Sequence, residues 1–289
     1  MKQLLIISGK GGTGKTTVAA AFIELAKAEA YADCDVDAPN LHLVLQQRTP
    51  PHSDDYYGLP KAQINTALCS HCGICMENCR FEAISYQDNY QVDPYLCEGC
   101  ALCQNTCPSG AITMEPSAAG KLKLYVDNKT VFSTAKLNMG SGNSGKLVSE
   151  VKNRLKTNVS TQPLTIIDGS PGIGCPVIAS MSGVDLALIV TEPSVSGISD
   201  LKRLLATARQ FGVTTAVCVN KSDINQKLSK EIIDYCQQND ISFVGNIPFD
   251  QAAVTAVNMG KSIIAFDGAA AQAIKTIYQR TINLLFNTK

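Results

Sequence analysis

The sequence predicts an α/β protein, a mostly parallel, doubly wound sheet with a second, smaller α+β domain inserted in it. Three observations carry this. Apolar strand-like runs alternate with helix-forming segments along most of the chain, the pattern of a parallel sheet covered on both faces. A glycine-rich loop follows the first run directly, where such a sheet binds phosphate. Eight of the 12 cysteines crowd into residues 69–107, outside that alternation.

The elements follow in order. Leu4 to Ser8 is an unbroken apolar run, as a strand buried on both faces requires. Lys15 to Ala28 carries strong helix formers, and Ala30 to Ala32 is a short strand ending at Asp33. Thr49 to Asp55 and Pro116 to Gly120 are polar, Pro-containing connections into and out of the insert. Leu122 to Val126 and Val131 to Ala135 alternate as a hairpin does. Residues 139–145 form a Gly/Ser/Asn loop, with Ser144 placed to cap a helix from Gly145 to Lys156. Strands are expected at 164–167, 186–190, 214–219 and 242–244, with helices through Gln210, over 227–238 and over 270–286. The last helix has Ala270, Ala273, Ile274, Ile277, Tyr278 and Leu285 on its apolar positions and only Lys275, Arg280 and Lys289 as basic groups. That is a core-facing helix rather than an anchor for anionic lipid.

Composition narrows the function. Lys plus Arg and Asp plus Glu are each 25 of 289 residues, so the net charge is zero. This removes the electrostatic argument for non-specific nucleic-acid binding. No apolar run approaches the ~20 residues that span a bilayer, and the N-terminal run is too short for a signal peptide. A cytoplasmic protein is expected. With 12 Cys and 3 His, a reducing compartment implies thiolate-bound metal or redox chemistry rather than disulfides.

Gly9 to Thr16 fits G-x-x-x-x-G-K-[ST] between a strand and a helix. The amides of Gly11, Gly12, Thr13, Gly14, Lys15, Thr16 and Thr17 are placed to cradle a nucleotide's phosphates at a helix N-terminus. Lys15 can bridge the β- and γ-phosphates, and the Thr16 hydroxyl can hold Mg²⁺. The octet Lys10-Gly-Gly-Thr-Gly-Lys-Thr-Thr17 resembles the deviant phosphate loop of the MinD/Mrp family, which includes the nitrogenase iron protein and partition ATPases. The resemblance implies that Lys10 reaches the partner's phosphates in an ATP-sandwich dimer, formed with a second copy or a paralogue. It also implies a first switch at Asp33 to Asn40, where Asp35 orients the attacking water and Asp33 serves the loop's structure. Ile167-Asp-Gly-Ser-Pro-Gly172 resembles the family's second switch, which implies that Asp168 sits just beyond the Mg²⁺ ligands. Asn220-Lys221 resembles the family's adenine contact, and Ile247-Pro248-Phe249-Asp250 its base-flanking loop.

Cys69, Cys72, Cys75 and Cys79 read C-x2-C-x2-C-x3-C, and Cys97, Cys100, Cys103 and Cys107 repeat it 28 residues on. Three thiolates at this spacing curl around three corners of an iron–sulfur cube, and the fourth ligand comes from elsewhere. Paired C-x2-C is also a zinc signature, but zinc leaves the interleaved run unexplained. The repeat resembles a bacterial two-cluster ferredoxin. That resemblance implies two [4Fe–4S] clusters, one on Cys69, Cys72, Cys75 and Cys107, the other on Cys97, Cys100, Cys103 and Cys79. Cys175 lies seven residues after Asp168, near where the nitrogenase iron protein has a cluster cysteine, but residues 137–146 offer no second one. Cys34, Cys218 and Cys236 read as core thiols.

The expectation is an ATPase domain over residues 1–60 and 117–289, with a ferredoxin domain over 61–116. Its cofactors are ATP or ADP, Mg²⁺ and two [4Fe–4S] clusters. The task that fits is ATP-gated electron transfer to a protein redox partner. A cluster carrier serving apo-proteins and a redox-sensing positioning ATPase are the alternatives.

Overall fold

A computed structural model describes residues 2–159 and 162–287, so Lys289, counted above among the basic groups of the last helix, lies outside the described residues. In chain order the first elements are β1 (Lys2–Ser8), α1 (Lys15–Ala26), β2 (Ala30–Asp33) and the short α2 (Leu41–Val44). The cysteine-rich stretch follows, with β3 (His52–Tyr57), β4 (Lys61–Ile64), α3 (Ile74–Glu77), β5 (Ile84–Tyr86), β6 (Tyr90–Val92), α4 (Leu102–Thr106) and β7 (Ile112–Glu115). The chain then makes β8 (Ala118–Asp127), β9 (Thr130–Leu137), α5 (Ser144–Asn158), β10 (Leu164–Pro171), α6 (Cys175–Met181), β11 (Leu186–Thr191) and α7 (Val195–Gln210). It ends with β12 (Thr214–Asn220), α8 (Gln226–Gln238), β13 (Ser242–Ile247), α9 (Gln251–Asn258) and α10 (Ala269–Asn287).

The chain divides into two compact units. One comprises Met1–Ser53, Leu122–Lys136 and Ser144–Lys289, and the other Asp54–Lys121 with Leu137–Asn143. The second therefore holds all of residues 61–116 and extends past them at both ends. The sequence suggested polar loops there, but 52–57 and 118–121 are strand. Two further boundaries differ. Ser144 is the first helical residue of α5 rather than a cap outside it, and α9 was not anticipated.

In the first unit the sheet runs β13-β12-β11-β1-β10-β2-β9-β8. β1 lies at its centre, parallel to β10 and β11, with Leu4 opposite Ile166 on one side and Leu186 on the other. Central position explains the composition of β1: Leu4, Leu5, Ile6 and Ile7 are all fully buried, and neither face of the strand meets water. α1 packs its small residues and Phe22 on this sheet, and α10 adds Ala270, Ile274, Ile277 and Leu285 to the same core. The terminal helix thus spends its apolar face on the core. Among the described residues no helix is long and apolar enough to cross a membrane.

The second unit has two small antiparallel pairs, β4 with β7 and β5 with β6. Its core gathers Ala62, Ala83, Ile84, Tyr90 and Ile112 around Cys75 and Cys97.

Cys34, Cys218 and Cys236 are fully buried, whereas Cys175 is exposed. Burial pushes the Cys34 and Cys218 thiols up to about 12 and Cys236 up to about 11. Since the thiolate is the nucleophile, iodoacetamide at pH 8 is expected to label Cys175 in the native chain and spare those three. Mass mapping of the labelled peptides checks this, and rapid labelling of Cys218 would contradict the packing.

Candidate functional site

Residues 9–14 leave the carboxyl end of β1 and turn into α1, so their amides face the first turn of a helix. Gly12 and Gly14 sit at φ +79° and +89°, a left-handed conformation that favours glycine. At Gly14 there is also no room, because a Cβ would stand 2.3 Å from Asn220 Nδ2. That amide donates to the Thr13 carbonyl at 2.7 Å, and Lys221 Nζ donates to the Gly12 carbonyl at 3.0 Å. The end of β12 therefore fixes the loop. Thr13 Oγ1 is buried and has no hydrogen-bond partner among the described residues, an orphan polar atom at the point where a phosphate oxygen would arrive.

Lys15 is 5% exposed, and its Nζ lies 2.6 Å from Asp168 Oδ1. Asp168 Oδ2 accepts the Thr16 hydroxyl at 2.8 Å. Burial alone would lower the Lys15 pKa, but Asp168, Asp33 and Asp35 reverse this and hold the ammonium above its usual range. Asp33 accepts N–H bonds from Asp35, Asn40 and Leu41, each at 3.0 Å, and so staples the segment after β2. Burial, followed by the charge of Asp168, pushes the Asp33 carboxyl up to about 7. Burial also raises Asp35, against the pull of Lys15.

Two cavities meet at the loop. One of about 340 Å³ is lined by residues 11–17, Asp35 and Asn40. The other, about 260 Å³, is lined by Gly14, Thr17, Asn220, Pro248 and Phe249 among mostly apolar neighbours. The first offers amides, hydroxyls and an ammonium, the second an apolar slot with an amide at its edge. Together they fit the phosphates and the base of a nucleotide.

Lys10 lies apart from both. Its Nζ pairs with Glu192 Oε1 at 2.5 Å and donates to the Ser194 and Ser196 hydroxyls at 3.2 and 3.0 Å. Glu192 Oε2 also meets Lys221 Nζ at 3.6 Å, and the two lysines hold its carboxyl below the usual range despite partial burial. Sequence reading missed Glu192. The signal was available, since Glu192 directly follows the carboxyl end of β11, where ligand-handling residues gather in such sheets.

In the second unit the sequence repeat is also a backbone repeat. His71 and Gly73 are left-handed at φ +56° and +81°, and 28 residues on Gly99 and Ala101 are left-handed at +69° and +60°. Each pair leads into a short helix, α3 or α4. Cys79, Cys97, Cys100 and Cys103 line one small cavity. Burial, and then the neighbouring Cys69 and Cys72, raise the Cys75 thiol against the opposing pull of local amides, so these three lie together. Cys107 is not in the small cavity; its Sγ accepts the Ala111 N–H at 3.3 Å. Among the described residues, no three His, Cys, Asp or Glu side chains form a group that could hold a single metal ion.

A parallel sheet with a glycine loop at its central strand and a two-part cavity beside it defines a P-loop nucleotide-binding protein. The chain belongs to the CobQ/CobB/MinD/ParA family of P-loop ATPases, whose nucleotide binding domain it matches over residues 4–263. An uncharacterized protein of Methanocaldococcus jannaschii is 31% identical over 96% of this chain and 95% of its own length. An iron-sulfur cluster carrier protein of Pyrococcus horikoshii is 22% identical over 99% of this chain and 88% of its own. Among solved structures, the septum site-determining protein MinD of Pyrococcus horikoshii, complexed with Mg-ADP, superposes with a TM-score of 0.58 at 17% identity. It covers 99% of this chain and 97% of that one.

Removing one partner of a buried ion pair leaves the other charge uncompensated, at a cost of about 3–5 kcal/mol. Asp168→Ala is expected to lose that much unfolding free energy in urea titration of the nucleotide-free chain. A loss under about 1 kcal/mol would mean that Asp33 and Asp35 alone hold Lys15.

Proposed function

We propose that this chain binds and hydrolyses ATP with Mg²⁺, dimerises when ATP is bound, and uses that event to gate electron transfer through two [4Fe–4S] clusters held by residues 61–116. Lys15 and the amides of residues 11–17 bind the phosphates, and Thr16 ligates Mg²⁺ with Asp168 behind it. Asp35, at the rim of the phosphate cavity, orients the attacking water. Asn220, Pro248 and Phe249 flank the base. Lys10 leaves Glu192 and its serines to reach the partner's phosphates, where the partner is a second copy or a paralogue.

The observation that carries the cluster half of the reading is the doubled backbone. Alternating right- and left-handed residues turn successive N–H groups into a concavity that receives anions, iron–sulfur clusters included. The pairs His71/Gly73 and Gly99/Ala101 supply two such concavities, each among three cysteines. The cavity that Cys79 shares with Cys97, Cys100 and Cys103 is the ligand set expected for the second cluster, and Cys107 completes the first. When bound, the clusters supply one-electron redox chemistry. A cluster-carrier function is the second reading, favoured by the exposed Cys175 at the start of α6 and by the name of the Pyrococcus relative.

Anaerobically purified protein is expected to contain about eight iron and eight sulfide per chain. A non-hydrolysable ATP analogue is expected to double its mass in light scattering. Lys10→Ala should retain the iron and remain monomeric with the analogue. A Lys10→Ala chain that still dimerises would overturn the role of Lys10, and zinc in place of iron would overturn the clusters. Rapid transfer of iron to an apo-ferredoxin would favour the carrier reading.

A further inference from the structure

A cavity larger than either of the two at the phosphate loop lies beside the first switch. It has a volume of about 550 Å³ and lies between residues 37–43 and the hairpin of β8 and β9. That size is within the range of small-molecule sites. Lys123, Lys136 and His42 line it, with Asp37 as the one carboxylate and the Tyr125 ring as an apolar wall. Lys123 is half-buried, and among the described residues neither it nor Lys136 has a carboxylate within ion-pair distance. Burial, then the charge of Lys123, lowers the His42 pKa, so the positive charge of the cavity comes from the two lysines, set against Asp37.

Thr134 supplies the second observation. It lines the same cavity, is 3% exposed, and its Oγ1 has no hydrogen-bond partner among the described residues. Leaving a buried hydroxyl unmatched is costly, and such groups persist where a ligand or water completes them. Thr134 stands opposite Asp33 in the β2–β9 register, at the carboxyl side of the sheet where ligands of this fold gather.

We propose that this cavity is a binding site for a small organic anion, a carboxylate or phosphate ester, held by Lys123, Lys136 and Thr134 against the Tyr125 ring. The site is coupled to the nucleotide through the segment that divides the two cavities. Asn40 and Leu43 line both the phosphate cavity and this one, and the Asn40 N–H is stapled by Asp33. An anion that fixes this wall favours one position of the first switch, and by linkage the nucleotide then changes the anion's affinity by the same factor. The binding site stands independently of how the nucleotide is used; the coupling rests on the nucleotide reading above.

Calorimetric titration of the full chain with succinate and, separately, with glycerol 3-phosphate tests this, first without nucleotide and then with saturating MgADP. At least one probe is expected to bind with a Kd below about 1 mM. Succinate alone would assign a carboxylate ligand, glycerol 3-phosphate alone a phosphate ester. Lys123→Gln with Lys136→Gln should weaken binding about tenfold or more, Thr134→Val several-fold, and Lys275→Gln on α10 should not. MgADP should shift the probe's Kd, and the probe should shift that of ADP by an equal factor. Failure of both probes up to about 10 mM, or equal binding by the double variant, would overturn the site. Binding that is indifferent to ADP, in a chain that binds ADP, would overturn the coupling and leave the site.

Discussion

A buried ion pair organises the nucleotide unit. Lys15 opens α1, Asp168 lies near the end of β10, and 2.6 Å separates their charges where water barely reaches. Desolvating two such ions costs several kcal/mol each, so geometry must return it. It does so through Thr16, which binds the other oxygen of Asp168, and through Asp33 and Asp35, which also favour the charged lysine. The arrangement gathers three carboxylates around one ammonium. The surplus negative charge is tolerable because Asp33 spends its lone pairs on three backbone amides and because its carboxyl is pushed up to about 7.

One backbone device recurs in both units. Gly12 and Gly14 turn the phosphate loop by taking left-handed conformations, and the two cysteine loops do the same with His71, Gly73, Gly99 and Ala101. In the phosphate loop this points N–H groups inward at the negative charge of a phosphate, and the cysteine loops share the conformation. The difference lies in what stands around the concavity. The phosphate loop presents an ammonium and a hydroxyl, while the cysteine loops present thiols. Ala101 shows how strongly the fold requires this shape, since a left-handed conformation costs a non-glycine residue about 1–2 kcal/mol.

Much of this was legible from the residues. The central strands announce themselves by unbroken Leu, Ile and Val runs, and the loop motifs sit at their ends because a parallel sheet has one ligand-binding edge. Two signals were quieter. α9 has only eight residues, so its periodicity is short, and its start is set by Asp250 accepting the Ala252 N–H, a cap that sequence reading assigned to the base loop. The strands at 52–57 and 118–121 carry Asp, His and Ser or small residues, which resemble a linker until a neighbouring strand pairs with them. Glu192 shows the limit on the functional side. A single glutamate in a strand-end segment acquires meaning only when folding brings Lys10 and Lys221 to its two oxygens.

The central claim is that nucleotide state and cluster chemistry are coupled within one chain. Redox titration by EPR of the anaerobically purified protein, with MgATP and with MgADP, tests it most directly. The account expects two [4Fe–4S] signals, at least one of which shifts in potential by about 30–60 mV between the two nucleotides, a coupling of about 0.7–1.4 kcal/mol for a one-electron couple. Two stable clusters with potentials indifferent to the nucleotide would contradict it.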